Sequence, residues 1–164
     1  MESEAILDDV NWKILEELQG NARLSFTELG RRVGLTAPAV AERVRRLEDA
    51  GVIQGYRVDL NLEKLGLPLL ALIRIATGDG LCGPFAEVAM DIPEVLECRR
   101  VTGGDSYVMK AALTSVRHLE ALLDRLTRYG QTVTSLVLSS PVTYRTIARP
   151  SIADLSQPPG PRVD

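Results

Sequence analysis

Three arginines, Arg43, Arg45 and Arg46, crowd one short stretch, "LTAPAVAERVRRLEDAGVI" from Leu35 to Ile53, and Arg31 and Arg32 lie just upstream. A guanidinium is a planar fork of N–H donors that matches phosphate oxygens and the edge of a guanine. The chemistry these residues point to is the holding of a nucleic-acid backbone. A formal net charge of -3 for the whole chain argues weakly against such a partner, but a domain binds through its local field and not through the chain total. Between Leu29 and Arg57 the positive residues are Arg31, Arg32, Arg43, Arg45, Arg46 and Arg57, and the only acids are Glu42, Glu48 and Asp49. The window is basic inside an acidic chain.

Other chemistries find little support. The single histidine, His118, and two cysteines without CxxC spacing, Cys82 and Cys98, leave no cluster for a metal or thiol site. No metal and no cofactor are expected, and the cysteines read as buried and reduced. As a catalytic base His118 has no Ser, Cys or carboxylate at the spacing of a triad or dyad, so the chain reads as a non-enzyme without catalytic residues. A composition of 164 residues, 45% hydrophobic and 25% charged, describes one or two small globular domains. The longest apolar run, "LGLPLLALI", is too short to span a bilayer and contains Gly66 and Pro68, and the acidic start "MESEAILDD" is unlike a signal peptide. The expectation is a cytoplasmic protein without a membrane partner.

The elements that must position the arginines are helical. Leu7, Val10, Ile14, Leu15 and Leu18 form one stripe that ends near Gly20 and Asn21. Trp12 points away from that stripe, as a partly exposed cover or as a contact between heads or with the second domain. Ser25 caps a short second helix, with Glu28 three residues on as in a capping box and Phe26, Leu29 and Val33 facing inward. In "VGLTAP", Gly34 suits a helix C-cap of positive φ, Leu35 plugs the core, and Thr36 caps a third helix in which an early Pro38 is tolerated. This is a helix-turn-helix.

On the third helix Val40, Val44 and Leu47 share one face, and Pro38, Glu42, Arg45 and Asp49 lie opposite. A recognition helix enters the major groove N-terminus first, and small residues such as Ala39 and Ala41 let its backbone approach the base edges. The candidate contacts to double-stranded DNA are Arg31, Arg32, Thr36, Pro38, Ala39, Glu42, Arg43, Arg45 and Arg46, with the arginines mainly on phosphates. The bland alternative is a solvated basic face with the local pairs Glu42–Arg46 and Arg45–Asp49. Glu42 is open between reading a cytosine amine and pairing with Arg46. After Gly51, "VIQGYRVDLN" reads as a strand leaving the head, broken by Gly55.

From Leu67 the order is strand "LPLLALIRIA", helix "CGPFAEVAMDI", strand "VLECRRVTG", strand "SYVMKAAL", helix "SVRHLEALLDRLTRYG" and strand "TVTSLVLSS". This β-α-β-β-α-β order gives a four-stranded antiparallel sheet with both helices on one face. Leu119, Leu122, Leu123 and Leu126 supply the last helix with a buried stripe. The fold class is α+β: an N-terminal helix-turn-helix (winged-helix-like) head plus a C-terminal ferredoxin-like βαββαβ domain. Apolar neighbours such as Val108 with Met109 and Leu136 with Val137 predict a second apolar sheet face, covered by face-to-face dimerisation. In "VTGGDSY", Gly103 and Gly104 can bend the backbone so that successive N–H groups converge on an anion such as a carboxylate; the plain alternative is a β-turn.

Over residues 6 to 145 the chain resembles the Lrp/AsnC (feast/famine) transcriptional regulators. The resemblance rests on "LDDVNWKIL", "NARLSFTELGRRVGLTAPAVAERVRRLEDAGVIQGY", "VTGGDSYVMK" and "TVTSLVL", in the family's order. It implies sequence-specific DNA binding, response to an amino acid or related carboxylate, and homodimers that often assemble into octamers. It also brings the loop residues Thr102, Gly103, Gly104, Asp105 and Ser106 together with Thr132, Thr134 and Ser135 as an effector site between dimers. The chain departs from the family pattern at Asn11 and at Ser106, where the family usually has aspartate, and in the shorter link "YGQT". With Ser106 in place of the loop aspartate, the partner for an effector's ammonium falls to Asp105, or the effector lacks an ammonium. The expected boundaries are 1–54 for the head, 55–66 for a linker, 67–147 for the effector and oligomerisation domain, and 148–164 for a flexible tail. The alternatives are an effector-insensitive architectural regulator, a helix-turn-helix that binds only protein, a ligand-binding adaptor, and an enzyme on the ferredoxin-like domain.

Overall fold

The computed structural model describes residues 6–149. Of these, 6–58 and 142–149 form one compact unit and 59–141 a second. The tail expected at 148–164 lies outside the described residues except for Ala148 and Arg149.

The first unit is built on three helices: α1 (Asp9–Gly20), α2 (Phe26–Val33) and α3 (Ala37–Asp49). Ile14, Leu18, Leu29, Val40, Val44 and Leu47 meet in its core. Asp8 caps α1 by accepting the Asn11 N–H at 2.7 Å. Asn11 is itself buried, and its amide donates to Ile6 O at 2.6 Å. Trp12 is half-buried and outside the core cluster. Among the described residues of this unit none forms a strand. The strand expected in "VIQGYRVDLN" is absent: Gly55 sits at φ 152, and no neighbouring strand offers residues 54–60 a ladder. Phe26, expected inside, is 44% exposed, because it is the first residue of α2 and projects beyond the core.

The segment after residue 141 is tied to α1. The Gln19 side chain donates to Ile147 O at 3.0 Å and accepts from Ile147 N at 2.9 Å, while Tyr144 Oη donates to Gln19 Oε1 at 3.1 Å. Arg149 pairs with Asp9.

In the second unit a 3-10 turn at Glu63–Leu65 precedes β1 (Leu69–Thr77), α4 (Cys82–Met90), β2 (Val95–Arg100), β3 (Tyr107–Leu113), α5 (Val116–Leu126) and β4 (Gly130–Leu136). The strands pair antiparallel in the order β2-β3-β1-β4. Ala71, Ile73 and Ile75 alternate with Leu70, Leu72 and Arg74 along β1, so one set faces the helices and is fully buried. Phe85, Met109, Leu122 and Leu126 complete that core. The opposite face is less apolar than the sequence suggests. Leu72 (42% exposed) and Val133 (45% exposed) lie on it, but Arg74 stands between Val108 and Val133, and Lys110 opposite Leu72. The cysteines differ from expectation as well: Cys82 is half-buried and Cys98 is exposed on the edge strand β2, and both are free thiols.

Candidate nucleic-acid interface and effector loop

The turn between α2 and α3 forms for local reasons. Ser25 Oγ accepts the Glu28 N–H at 3.2 Å, and Gly34 closes α2 at φ 74. Leu35 N–H donates to Gly30 O at 2.9 Å, which folds the chain back on α2. Thr36 takes the N-cap position with extended φ and ψ, yet its hydroxyl makes no capping bond. Pro38, second in the helix, lacks one of the two N–H groups such a hydroxyl serves. Ala37, Pro38, Ala39 and Ala41 leave the start of α3 narrow enough for close approach to a groove.

The guanidiniums divide into two kinds. Arg43 is turned into the protein: its Nη1 donates to Asp8 Oδ2 at 2.7 Å and Asn11 Oδ1 at 2.9 Å. It ties α3 to the start of α1. Arg31, Arg45 and Arg46 are outward, with side chains 74%, 64% and 65% exposed. Arg45 and Arg46 both reach Glu42 at 2.9 Å, and Arg45 lies 3.7 Å from Asp49. Both local pairs weighed from the sequence are formed, with Arg45–Glu42 added. Glu28, expected to complete a capping box, instead takes Arg31 at 2.7 Å and Arg32 at 2.9 Å, and Arg32 also reaches Glu17 at 2.7 Å. Hydrogen bonds from Arg31, then Arg32, hold the Glu28 carboxyl down at about 2. Arg45, then Arg46, lower Glu42 in the same way. Long cationic side chains within reach of a carboxylate three and four residues back account for both.

The loop between β2 and β3 is closed by Val101 N–H donating to Ser106 O at 3.0 Å, and Gly103 within it has φ 109. Ser106 is committed to β1: its hydroxyl accepts from Thr77 N at 3.1 Å and Thr77 Oγ1 at 2.9 Å, and its N–H donates to Ile75 O. Asp105 lies 3.9 Å from Arg74. Thr102 and Gly104 are exposed in the same turn. Across β1, Thr132 pairs with Ile75 and Thr134 with Ile73, which puts both on the helix side of the sheet; Ser135 pairs with Leu72 and lies on the other face. The structure thus brings the loop near the end of β1 that β4 flanks, but it does not bring Ser135 together with the two threonines.

His118 has a structural place. Its Nε2 is 3.1 Å from Glu94 Oε1, which also accepts from Arg125 at 2.8 Å, and the Thr114 N–H donates to its Nδ1 at 3.4 Å. Burial pushes the Glu94 carboxyl up, but its own backbone N–H, His118 and Arg125 bring it net below the ordinary carboxylate range. Sequence reading missed Asn11, Gly30 and Glu94 as organising residues; only Asn11 carried a signal, as a departure from a motif.

A helical head with an arginine-bearing helix behind a Gly-Leu-Thr turn, in one chain with a four-stranded α+β unit, is the architecture of a helix-turn-helix transcriptional regulator. The AsnC-type helix-turn-helix domain matches residues 7–48, and the Lrp/AsnC ligand binding domain matches residues 70–147. The chain belongs to the Lrp/AsnC family of transcriptional regulators. It is 43% identical over 134 residues to the uncharacterised HTH-type transcriptional regulator YezC of Bacillus subtilis (strain 168), covering 82% of this chain and 95% of that protein. To LrpC of the same organism it is 34% identical over 133 residues, 81% of this chain and 92% of the relative. The solved structure of B. subtilis LrpC superposes with a TM-score of 0.81 at 33% identity, over 84% of this chain and 99% of that one. A transcriptional regulator from Neisseria meningitidis, solved as a complex with L-Met, superposes with a TM-score of 0.83 at 31% identity, over 89% and 99%. No helix among the described residues is long and apolar enough to cross a membrane.

Proposed function

We propose that this regulator binds double-stranded DNA through the N-terminal half of α3, with Thr36, Pro38 and Ala39 towards the base edges, Arg31, Arg32, Arg45 and Arg46 on the flanking phosphates, and Glu42 beside them as the carboxylate that holds Arg45 and Arg46. The observation that carries this reading is the outward set of guanidiniums beside a helix start built of alanine and proline. It acts in the cytoplasm as a homodimer, and higher assembly up to an octamer follows the family. The exposed Leu72 and Val133 on the helix-free sheet face support such pairing. A two-fold dimer reads a roughly palindromic site with half-sites about one helical turn, or a multiple of it, apart. Its effector is a small amino acid or related carboxylate, held at the loop Thr102–Ser106 with Thr132 and Thr134. The Neisseria regulator's complex with L-Met supports this ligand class. The boundaries proposed for these roles are a head over 1–54, a linker over 55–66, an effector and oligomerisation domain over 67–147 and a tail over 148–164.

The deciding experiment measures affinity for a pool of genomic fragments against salt for wild type, Arg45→Ala and Arg46→Ala. Each lost phosphate contact flattens the slope of log affinity against log salt by about one. Wild-type affinity and slope in both variants would remove DNA from this face, and a footprint with a single unrepeated half-site would remove the dimeric reading.

A further inference from the structure

The same five-residue pattern, Glu-x-x-Arg-Arg, occurs in both helices of the helix-turn-helix: Glu28, Arg31 and Arg32 on α2, and Glu42, Arg45 and Arg46 on α3. In each, one carboxylate takes both guanidiniums. Glu28 accepts from Arg31 at 2.7 and 3.0 Å and from Arg32 at 2.9 Å. Glu42 accepts from Arg45 at 2.9 Å and from Arg46 at 2.9 Å. Arg31, Arg45 and Arg46 face outward, and Arg32, 41% exposed, is shared with Glu17 at 2.7 Å. We infer that Glu28 and Glu42 are internal competitors for phosphate, each holding two guanidiniums that DNA must take from it, and that they thereby set the protein's affinity for DNA of unrelated sequence. The inference rests on the assignment of this face to DNA.

DNA binding at this face is an exchange of one anion for another. Exposed ion pairs are weakly held, so a phosphate can replace a carboxylate at a guanidinium fork that both fit equally well. The exchange leaves a carboxylate stranded beside the DNA backbone, where it repels. Binding to unrelated DNA rests almost entirely on phosphates, whereas a cognate site adds contacts to base edges. A fixed electrostatic cost therefore takes the larger share of the binding that has nothing else to draw on. It can release the protein from bulk DNA at working salt while a cognate site stays occupied. Over the two helices five arginines stand against four carboxylates, Glu28, Glu42, Glu48 and Asp49, a small positive balance that draws them to DNA and leaves them too neutral to be trapped by it.

The test uses the full chain and a fluorescent 30-base-pair duplex of random sequence, read by anisotropy across salt. Glu28→Gln and Glu42→Gln keep side-chain length and an acceptor oxygen but remove the charge. Each is expected to tighten binding at low salt by about threefold to tenfold, the effect of removing one charge within a few ångströms of a phosphate in a screened surface setting. Each should also steepen the salt slope. Glu120→Gln on α5 removes the same charge outside the head and should leave the affinity as it was. The gain from Glu42→Gln should vanish when Arg45 and Arg46 are both alanine. Unchanged or weaker binding in both glutamine variants overturns the inference, as does an equal gain in Glu120→Gln. If the Arg45→Ala and Arg46→Ala variants lose affinity but the glutamine variants gain none, this inference fails alone; if they lose nothing, the DNA assignment fails first. Melting curves of the free variants identify any that has lost its fold, and the two positions are read separately, so either decides.

Discussion

A side chain on Gly30 would press its Cβ against the carbonyl oxygen of Leu35, inside van der Waals contact, while the Leu35 N–H donates to Gly30 O at 2.9 Å. The turn that aims the recognition helix is thus closed by backbone against backbone. Gly30→Ala must push α2 and the turn apart, at a cost of about 1–3 kcal/mol. Gly20, at the end of α1, has nothing within 4 Å of an added Cβ. Gly20→Ala is therefore expected to leave stability unchanged or to raise it by about 0.5–1 kcal/mol. Chemical denaturation of the two variants beside wild type checks the pair, and equal stability in both would show that Gly30 is not the closing point.

Arg43 and Arg45, two residues apart on α3, are expected to separate cleanly. Arg43→Met leaves the buried Asn11 oxygen without its donor and Asp8 without its cation, which destabilises the head by about 1–3 kcal/mol. The salt slope of DNA binding should stay that of wild type. Arg45→Ala should do the reverse, with stability kept and slope reduced. Parallel denaturation and anisotropy measurements decide, and an Arg43→Met protein of full stability with a flattened slope would return Arg43 to the phosphates.

Acid sensitivity of the second unit should trace to Glu94. Its folded pKa lies below the ordinary value, so the stability it contributes is fully present above the unfolded carboxyl value of about 4.3 and is lost as pH falls through the folded pKa. Its Oε2 is buried without a hydrogen-bond partner while Oε1 holds both His118 and Arg125. Glu94→Gln should cost about 1–3 kcal/mol at neutral pH, since Arg125 loses a charged partner. The variant should also show a flatter fall in stability below pH 5. A wild-type acid profile in Glu94→Gln would place the sensitivity elsewhere.

The effector reading is tested at the loop. Calorimetry or thermal shift across the amino acids and a set of simple carboxylates is expected to find a ligand for wild type that Gly103→Val and Asp105→Ala bind at least tenfold more weakly. Valine is strained at φ 109 and reshapes the turn, whereas Asp105→Ala removes only the carboxylate. A ligand held as tightly by both variants as by wild type would move the pocket away from this loop.

Local chemistry made much of this protein legible in its sequence. Ser25 and Gly34 bound α2, Val40, Val44 and Leu47 mark the inner face of α3, and the β-α-β-β-α-β order implies the sheet topology, because each depends on neighbours a few residues away or on a repeating period. Relations between distant residues were decided only by the folded chain. Arg43 looks like its neighbours in sequence, but packing of α1 against α3 delivers Asp8 and Asn11 to it as partners. Gln19 takes hold of Ile147 from the far end of the chain. The strand expected after Gly51 did not form, since a strand needs a partner as well as a propensity. Thr134 and Ser135 are adjacent in sequence but fall on opposite faces once β4 pairs with β1 in a fixed register. Periodicity assigns a residue to an element, but which side chain or face it then meets is set by how the elements pack.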